Sequence, residues 1–394
     1  MTLSRIVVVG ASVAGLTAAE ALRREGFTGR LTLVGAEKHL PYDRPPLSKQ
    51  VLSGSWSPAK VALRGADAIA GLDAEWLLGR TATALDVDAR KVTLSDGEVL
   101  GYDGLVIATG VTPRSLPHGH ELAGVHLLRT LDDALALREG LAAAKSVVVI
   151  GAGFLGAEAA AVAREQGLAV TLADPLPSPM IRQLGAPMGE LLAALHRRHG
   201  VDVRTGVGVA GLTGTDGRVT GVDLDDGSTL TPDVVLVSIG SVPSVGWLAG
   251  SGLSLGNGVD CDELCQAARG VVAAGDVASW PHPDLGRTRV EHRMNATEQG
   301  IAAAKTLLGK GSPFLPVPYF WTDQFDVKIQ AYGMPSQEAD FEIVAGDAAE
   351  GKFAALYGID GRVTAALSWN LPREARALRK HVVERTPWNE ALGR

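Results

Sequence analysis

Apolar positions along the chain fall into two kinds of run. Short unbroken runs such as Ile6 to Val9 predict strands buried on both faces, and runs spaced at three and four residues predict amphipathic helices. One combination of the two occurs twice. RIVVVGASVAG at 5–15 and SVVVIGAGFLG at 146–156 each carry an apolar run, a glycine turn and the start of a helical pattern. The first continues through LTAAEALRREG into RLTLVGAE with Glu37, and the second through AEAAAVAREQG into LAVTLAD with Asp174. Each is a complete β-α-β unit, so the repeat predicts an α/β protein with two parallel sheets.

Further strand-like runs are GLVIATG at 104–110, VVLVSIG at 234–240 and GVVAAGD at 270–276, which ends in Asp276. The 394 residues exceed what one ordinary core accommodates. The second glycine turn lies in a segment, 113–235, that reads as a domain inserted into the first. The expected order is 1–112, the inserted 113–235, a return to the first domain over 236–314, and a last domain over 315–394. Pro-rich GSPFLPVPYF at 311–320 reads as the linker into that last domain. There FEIVAG, KFAALYG and RVTAALSW predict an antiparallel sheet, so this domain is α+β. A basic helix follows from about residue 372. Its Arg373, Arg376, Arg379 and Lys380 share a face by their spacing, which suits either a solvated helix or a patch for an acidic partner.

A hydrophobic fraction of 46% with 21% charged residues excludes a disordered chain. The net charge of −7 argues against nucleic acid as a partner, because a broad basic face would be needed. MTLSRIVVVG lacks a signal-peptide pattern and no transmembrane stretch is visible, so no membrane association is expected and a cytoplasmic enzyme is the default. The two cysteines, Cys261 and Cys265, have neither the CxxC spacing of a redox dithiol nor the number to hold an iron–sulfur cluster alone. They read as ordinary reduced thiols, so any electron chemistry must sit on a bound cofactor. His196 with His199, and His118 with His120, lack the acidic or cysteine partners of a zinc site, and no metal is expected.

Each glycine cluster follows a strand and opens a helix, the context in which GxGxxG has meaning. The glycines permit a tight turn and let a pyrophosphate approach the helix N-terminus, where free N–H groups favour negative charge. The second cluster, Gly151, Gly153 and Gly156, matches the pattern fully. The first, Gly10, Ser12 and Gly15, has a small serine at the centre. Two Rossmann-like sites imply two dinucleotides, most economically FAD and a nicotinamide nucleotide. Asp174 ends the second strand of the second unit, where a carboxylate accepts from ribose hydroxyls and repels a 2′-phosphate. NADH is therefore expected over NADPH. Arg182, the next Arg along, is either near the adenine end or a surface residue.

LPYDRPPLSK at 40–49, the LVIATG run, AAGDVA, VEHRMNATEQG at 290–300 and YFWTDQF at 319–325 together resemble the oxygenase-coupled, NADH-dependent ferredoxin reductases. That family includes putidaredoxin reductase, rubredoxin reductase and the reductase components of aromatic-ring dioxygenases. The similarity covers essentially the whole chain. PYDRPPLSK and YFWTDQF are specific to it, whereas ATG and GD are shared with the wider glutathione-reductase-like flavoproteins. The resemblance implies that Arg44 to Lys49 lies against the flavin and that Lys49 pairs with Glu158. It also implies that Ala14, Ala82, Thr109, Gly110, Arg129 and Asp276 line FAD, with Asp276 on the ribityl chain, and that Gly240 lies by the nicotinamide. Trp321 matches a tryptophan on the partner-facing side of the flavin, an element either of the electron route or of packing.

Two positions depart from the family pattern. An acid often directly follows the glycine of LVG; here Ala36 does, and Glu37 is the candidate replacement for the ribose contact. At Arg293 relatives carry Trp or an aliphatic residue, and an arginine there either raises the flavin potential or points away. No cysteine occurs in PYDRPPLSK, which excludes a flavin-to-dithiol route. The resemblance then implies hydride transfer from NADH to FAD, followed by single-electron transfer to a small acidic iron–sulfur ferredoxin that feeds a terminal oxygenase. Two alternatives stand: a related flavoenzyme with a small-molecule acceptor, or a non-catalytic flavoprotein acting by interaction. The sequence leaves the oligomeric state, monomer or dimer, open.

Overall fold

The computed structural model describes residues 3–394. The chain forms two compact units, each built from separated stretches. The first comprises Met1–Asp43, Ala59–Thr112 and Val242–Pro318, and the second Arg44–Pro58, Pro113–Ser241 and Tyr319–Arg394.

In the first unit a six-stranded sheet runs in the order Gln266–Ala268, Val271–Ala273, Gly104–Ile107, Arg5–Val9, Arg30–Gly35, Glu75–Leu78. All neighbours are parallel except the edge pair between Gln266–Ala268 and Val271–Ala273. Residues Ile6, Val7, Val8 and Val9 are at most 3% exposed, so both faces of this strand are covered, as its unbroken apolar run requires. The helices Val13–Arg24 and Arg293–Leu307 pack against each other. They cross at Gly300, where a Cβ would lie 2.6 Å from the Ala14 carbonyl oxygen, so no larger residue permits this approach.

The second unit holds a parallel sheet in the order Asp202–Thr205, Ala169–Asp174, Ser146–Ile150, Val234–Val237, Val125–His126. It also holds an antiparallel sheet in the order Tyr319–Gln324, Val327–Gly333, Arg362–Trp369, Lys352–Ile359, Asp340–Asp347. The amphipathic helix Pro372–Val383 packs on this second sheet through Ala375 and Val382. Met180, Leu184, Met188, Leu192 and Leu195 share one apolar core with Ile329, Phe353 and Leu367. That core joins the helical side of the parallel sheet to the antiparallel sheet. The short Arg44–Pro58 stretch belongs to this unit because its groups bond there. Arg138 and Gln166 donate to the carbonyls of Val51 and Leu52, at 3.5 and 3.4 Å. Among the described residues no helix is long and apolar enough to cross a membrane.

Candidate functional site

In the first unit, Gly10 leaves the strand Arg5–Val9 with φ +118°, and a Cβ there would lie 2.0 Å from the Ala108 carbonyl oxygen. A Cβ on Gly15 would lie 1.9 Å from the Gly10 carbonyl oxygen. Glycine at both positions lets the helix Val13–Arg24 begin hard against the strand end. No acidic residue occupies its first turn, and the Ser12 side chain makes no capping hydrogen bond. The N-terminal N–H groups of the helix thus suit an external anion such as a pyrophosphate.

Ala14, in the first turn of that helix, meets the loop that carries Asp276, and the other predicted residues of this unit are held by local contacts of their own. Ala14 is buried, and its Cβ leaves room for only glycine at Gly275, where an added Cβ would approach to 2.9 Å. The Gly275 N–H donates to Oε1 of the fully buried Gln299 at 2.9 Å, and Asn295 donates to the same oxygen at 3.3 Å. These bonds hold the turn that presents Asp276. The Thr109 hydroxyl donates to the Ser244 carbonyl at 3.0 Å, and Gly110 takes φ +68°. Ala82 is buried at the start of its strand. Glu37 accepts a hydrogen bond from the Tyr42 hydroxyl. Arg293 donates through Nε to Asp43 at 2.6 Å and through Nη1 to the Thr297 hydroxyl. Its charge is therefore balanced by a carboxylate, which weakens its field at a distance.

The second unit repeats the turn. Gly151 has φ +100°, and a Cβ there would lie 2.2 Å from the Ser238 carbonyl oxygen; one on Gly156 would lie 1.9 Å from the Gly151 carbonyl oxygen. At Gly153 the space a Cβ would take is open, the approach a pyrophosphate needs. The helix Phe154–Glu165 again has no acid in its first turn and no side-chain cap. Asp174 accepts from the N–H of Ala152 at 2.6 Å with one oxygen and from that of Leu176 at 2.8 Å with the other. The carboxylate thus braces the glycine loop, and each oxygen keeps a lone pair for a ribose hydroxyl. Gly240, at φ +95°, accepts from the Arg114 N–H at 2.9 Å.

Lys49 lies in a single π-turn, Leu47–Val51, closed by the Val51 N–H on the Pro46 carbonyl at 2.9 Å. Its ammonium donates to Oε2 of Glu158 at 2.7 Å; the two side chains are only 11% and 6% exposed. The Ser48 hydroxyl donates to the same oxygen at 2.6 Å, and the Thr322 hydroxyl donates to Oε1 at 2.8 Å. Arg44 donates to the Arg129 carbonyl, while the Arg129 N–H reaches Asp133 at 3.0 Å. Trp321 is half-buried and stacks with Tyr319 at a centroid distance of 6.0 Å. Tyr319 in turn meets Tyr332 at 4.9 Å, and the Arg379 guanidinium lies 5.9 Å from the Tyr332 ring centre. Arg373, Arg376, Arg379 and Lys380 are all exposed on their helix.

Sequence reasoning missed Ser48, Thr322, Gln324 and His196. The available signal was alternation in YFWTDQF, whose Phe320, Thr322 and Gln324 are buried while the intervening residues are not. The two thiols lie in the first unit's apolar core, Cys261 at 3% and Cys265 at 0% exposure. Burial pushes both up, Cys265 to about 12, so neither carries thiolate at neutral pH.

The pyridine nucleotide-disulphide oxidoreductase family matches residues 4–300, and the reductase C-terminal domain matches residues 319–392. Rhodocoxin reductase of Rhodococcus erythropolis is 38% identical over 97% of this chain and 90% of its own length. The ferredoxin reductase component of chlorobenzene dioxygenase from a Cupriavidus species is 40% identical over 94% of this chain and 90% of its own. The crystal structure of the covalent putidaredoxin reductase–putidaredoxin complex superposes with a TM-score of 0.92 at 34% identity, over 98% of this chain and 94% of that one. With both glycine turns, the buried Lys49–Glu158 pair and the antiparallel C-terminal sheet in place, the chain belongs to the pyridine nucleotide-disulphide oxidoreductase family, among the flavoprotein ferredoxin reductases that end in the reductase C-terminal domain.

Proposed function

We propose that this enzyme oxidises NADH and reduces an acidic iron–sulfur ferredoxin that serves an oxygenase. The observation that carries the reading is the Lys49 segment: where a dithiol relay would need cysteine, the chain has a buried Lys49–Glu158 pair, and its two thiols are inert in the core. Bound FAD would supply the capacity to take a hydride and give up electrons singly. The chain's residues do the positioning. Gly10, Ser12 and Gly15 open one helix N-terminus to the FAD pyrophosphate, with Ala14, Glu37, Ala82, Thr109, Gly110, Arg129 and Asp276 around the rest of that cofactor. Gly151, Gly153 and Gly156 receive the NADH pyrophosphate, Asp174 the ribose, and Gly240 the nicotinamide half. Lys49, held by Glu158, places a fixed positive charge beside the flavin. The exposed arginines of Pro372–Val383, next to the Tyr332–Tyr319–Trp321 ladder, offer charge complementary to an acidic partner. In this reading 1–112 and 236–314 form the FAD domain, 113–235 the NADH domain and 315–394 the C-terminal domain of a cytoplasmic protein.

The test is electron transfer by the purified flavoprotein: ferricyanide reduction with NADH and NADPH, then cytochrome c reduction with and without a [2Fe–2S] ferredoxin. NADH preference together with ferredoxin-dependent cytochrome c reduction supports the proposal. Fast ferricyanide turnover that no ferredoxin couples to cytochrome c would assign a small-molecule acceptor instead.

A further inference from the structure

The contact between Thr322 and Glu158 is one step of a longer buried line. The Gln324 amide donates to the Thr322 hydroxyl at 3.2 Å, and its Oε1 lies 2.9 Å from Nε2 of His196. Thr322, Gln324 and His196 are 0%, 1% and 0% exposed, so the bonds that link them face no competition from solvent. The direction of the line follows from its anionic end. A carboxylate only accepts, so the Thr322 hydrogen points to Glu158 and its oxygen is left to accept from the Gln324 amide. The Gln324 carbonyl then faces His196 and requires the proton on Nε2. Among the described residues Nδ1 of His196 has no hydrogen-bond partner, and burial lowers the imidazole pKa, so the ring is the neutral Nε2–H form. Every hydrogen from His196 to Glu158 thus points the same way, onto Oε1, while Lys49 and Ser48 share Oε2.

We propose that Thr322, Gln324 and His196 are positioning residues for the reaction. Their donor line fixes the rotation of the Glu158 carboxylate, and through Oε2 it fixes where the Lys49 ammonium stands. The inference rests on the reading that the Lys49–Glu158 pair serves the flavin. Three elements far apart in the chain meet in this line: the helix Phe154–Glu165, the helix Ala186–Arg198 and the strand Tyr319–Gln324. On that strand Thr322 turns into the core next to the half-buried Trp321. A packing role alone would need only a side chain of the right volume at position 322. The positioning role needs the hydroxyl, because only it can donate to Oε1 while accepting from Gln324.

The test compares holoenzymes carrying Thr322→Val, Thr322→Ser, Gln324→Met and Glu158→Gln. The readouts are the rate of flavin reduction by NADH in stopped flow and the flavin midpoint potential by spectroscopic titration. Thr322→Val and Gln324→Met are expected to slow flavin reduction about tenfold and to shift the potential in the same direction as Glu158→Gln, by less. Thr322→Ser is expected to return both to within about twofold of the parent. If Glu158→Gln moves rate and potential while Thr322→Val and Gln324→Met leave both at parental values, the positioning inference is overturned and the pair's role stands. If Glu158→Gln itself moves neither, the reading of the pair fails beneath it. Should Thr322→Val not retain flavin, Gln324→Met decides alone: parental rate and potential overturn the inference.

Discussion

Replacing Glu158 by Gln removes one charge while keeping the side chain's shape. The carboxylate accepts from Lys49 at 2.7 Å, Ser48 at 2.6 Å and Thr322 at 2.8 Å, and the Glu158 side chain is 6% exposed. At an effective dielectric of about 20, attraction across the 2.7 Å ion pair is about 6 kcal/mol, and desolvation of the two groups removes part of it. Breaking such a pair from one side strands a buried charge, so Glu158→Gln and Lys49→Met should each cost about 3 to 5 kcal/mol. Losing both partners strands nothing, so the double variant should cost about 3 kcal/mol less than the two single losses added together. Urea unfolding of the four proteins, followed by circular dichroism at one fixed excess of FAD, measures the cycle, because bound cofactor itself shifts apparent stability. The expected coupling is about 3 kcal/mol. A coupling below about 0.5 kcal/mol is what a solvent-screened pair gives, and it would refute the burial argument.

Asp174→Ala removes the acceptor of two loop N–H groups; NADH should bind at least about tenfold more weakly and lose its advantage over NADPH, read from kcat/KM for both nucleotides. An unchanged KM for NADH would disprove the bracing role. Burial, opposed in part by Glu291, holds the His292 pKa at about 4, below the ordinary value. The unfolded state therefore binds the extra proton, and stability from this group is full above about pH 6.5 and lost as pH falls towards 4, roughly 3 kcal/mol at most. The fall of Tm between pH 7 and pH 4.5 should accordingly be shallower in His292→Gln; an equal fall would mean the imidazole is solvated. With Cys261 and Cys265 both changed to Ala, NADH-driven ferricyanide reduction should stay within about twofold of the parent, because both thiols lie in the apolar core away from any redox role. Loss of turnover without loss of bound flavin would restore a thiol route.

The duplicated strand, glycine turn and helix could be read from the chain because each is local. An unbroken apolar run states that both strand faces are covered, and the glycines mark where backbone oxygens come within 2.0 and 2.2 Å of an added Cβ. The residues around Glu158 differ in kind. Alternation in YFWTDQF turns Thr322 and Gln324 inward, but nothing local names their partners, and Ser48 and His196 carry no periodic signal that separates them from ordinary polar residues. Nor did the pattern around Arg293 indicate that its partner is Asp43, 250 positions earlier.

By itself, the order of residues determined two β-α-β units, two dinucleotide cradles and the lack of a thiol at the Lys49 segment. These follow from sterics and hydrogen bonding within a few residues, which operate wherever the segment lies. Only the tertiary structure decided that Glu158 gathers Lys49 from 109 positions away and Thr322 from 164, and that His196 meets Gln324 across 128. A buried polar atom must find its partner among whichever groups the packing of distant elements brings within about 3 Å, and that choice is made by the fold as a whole.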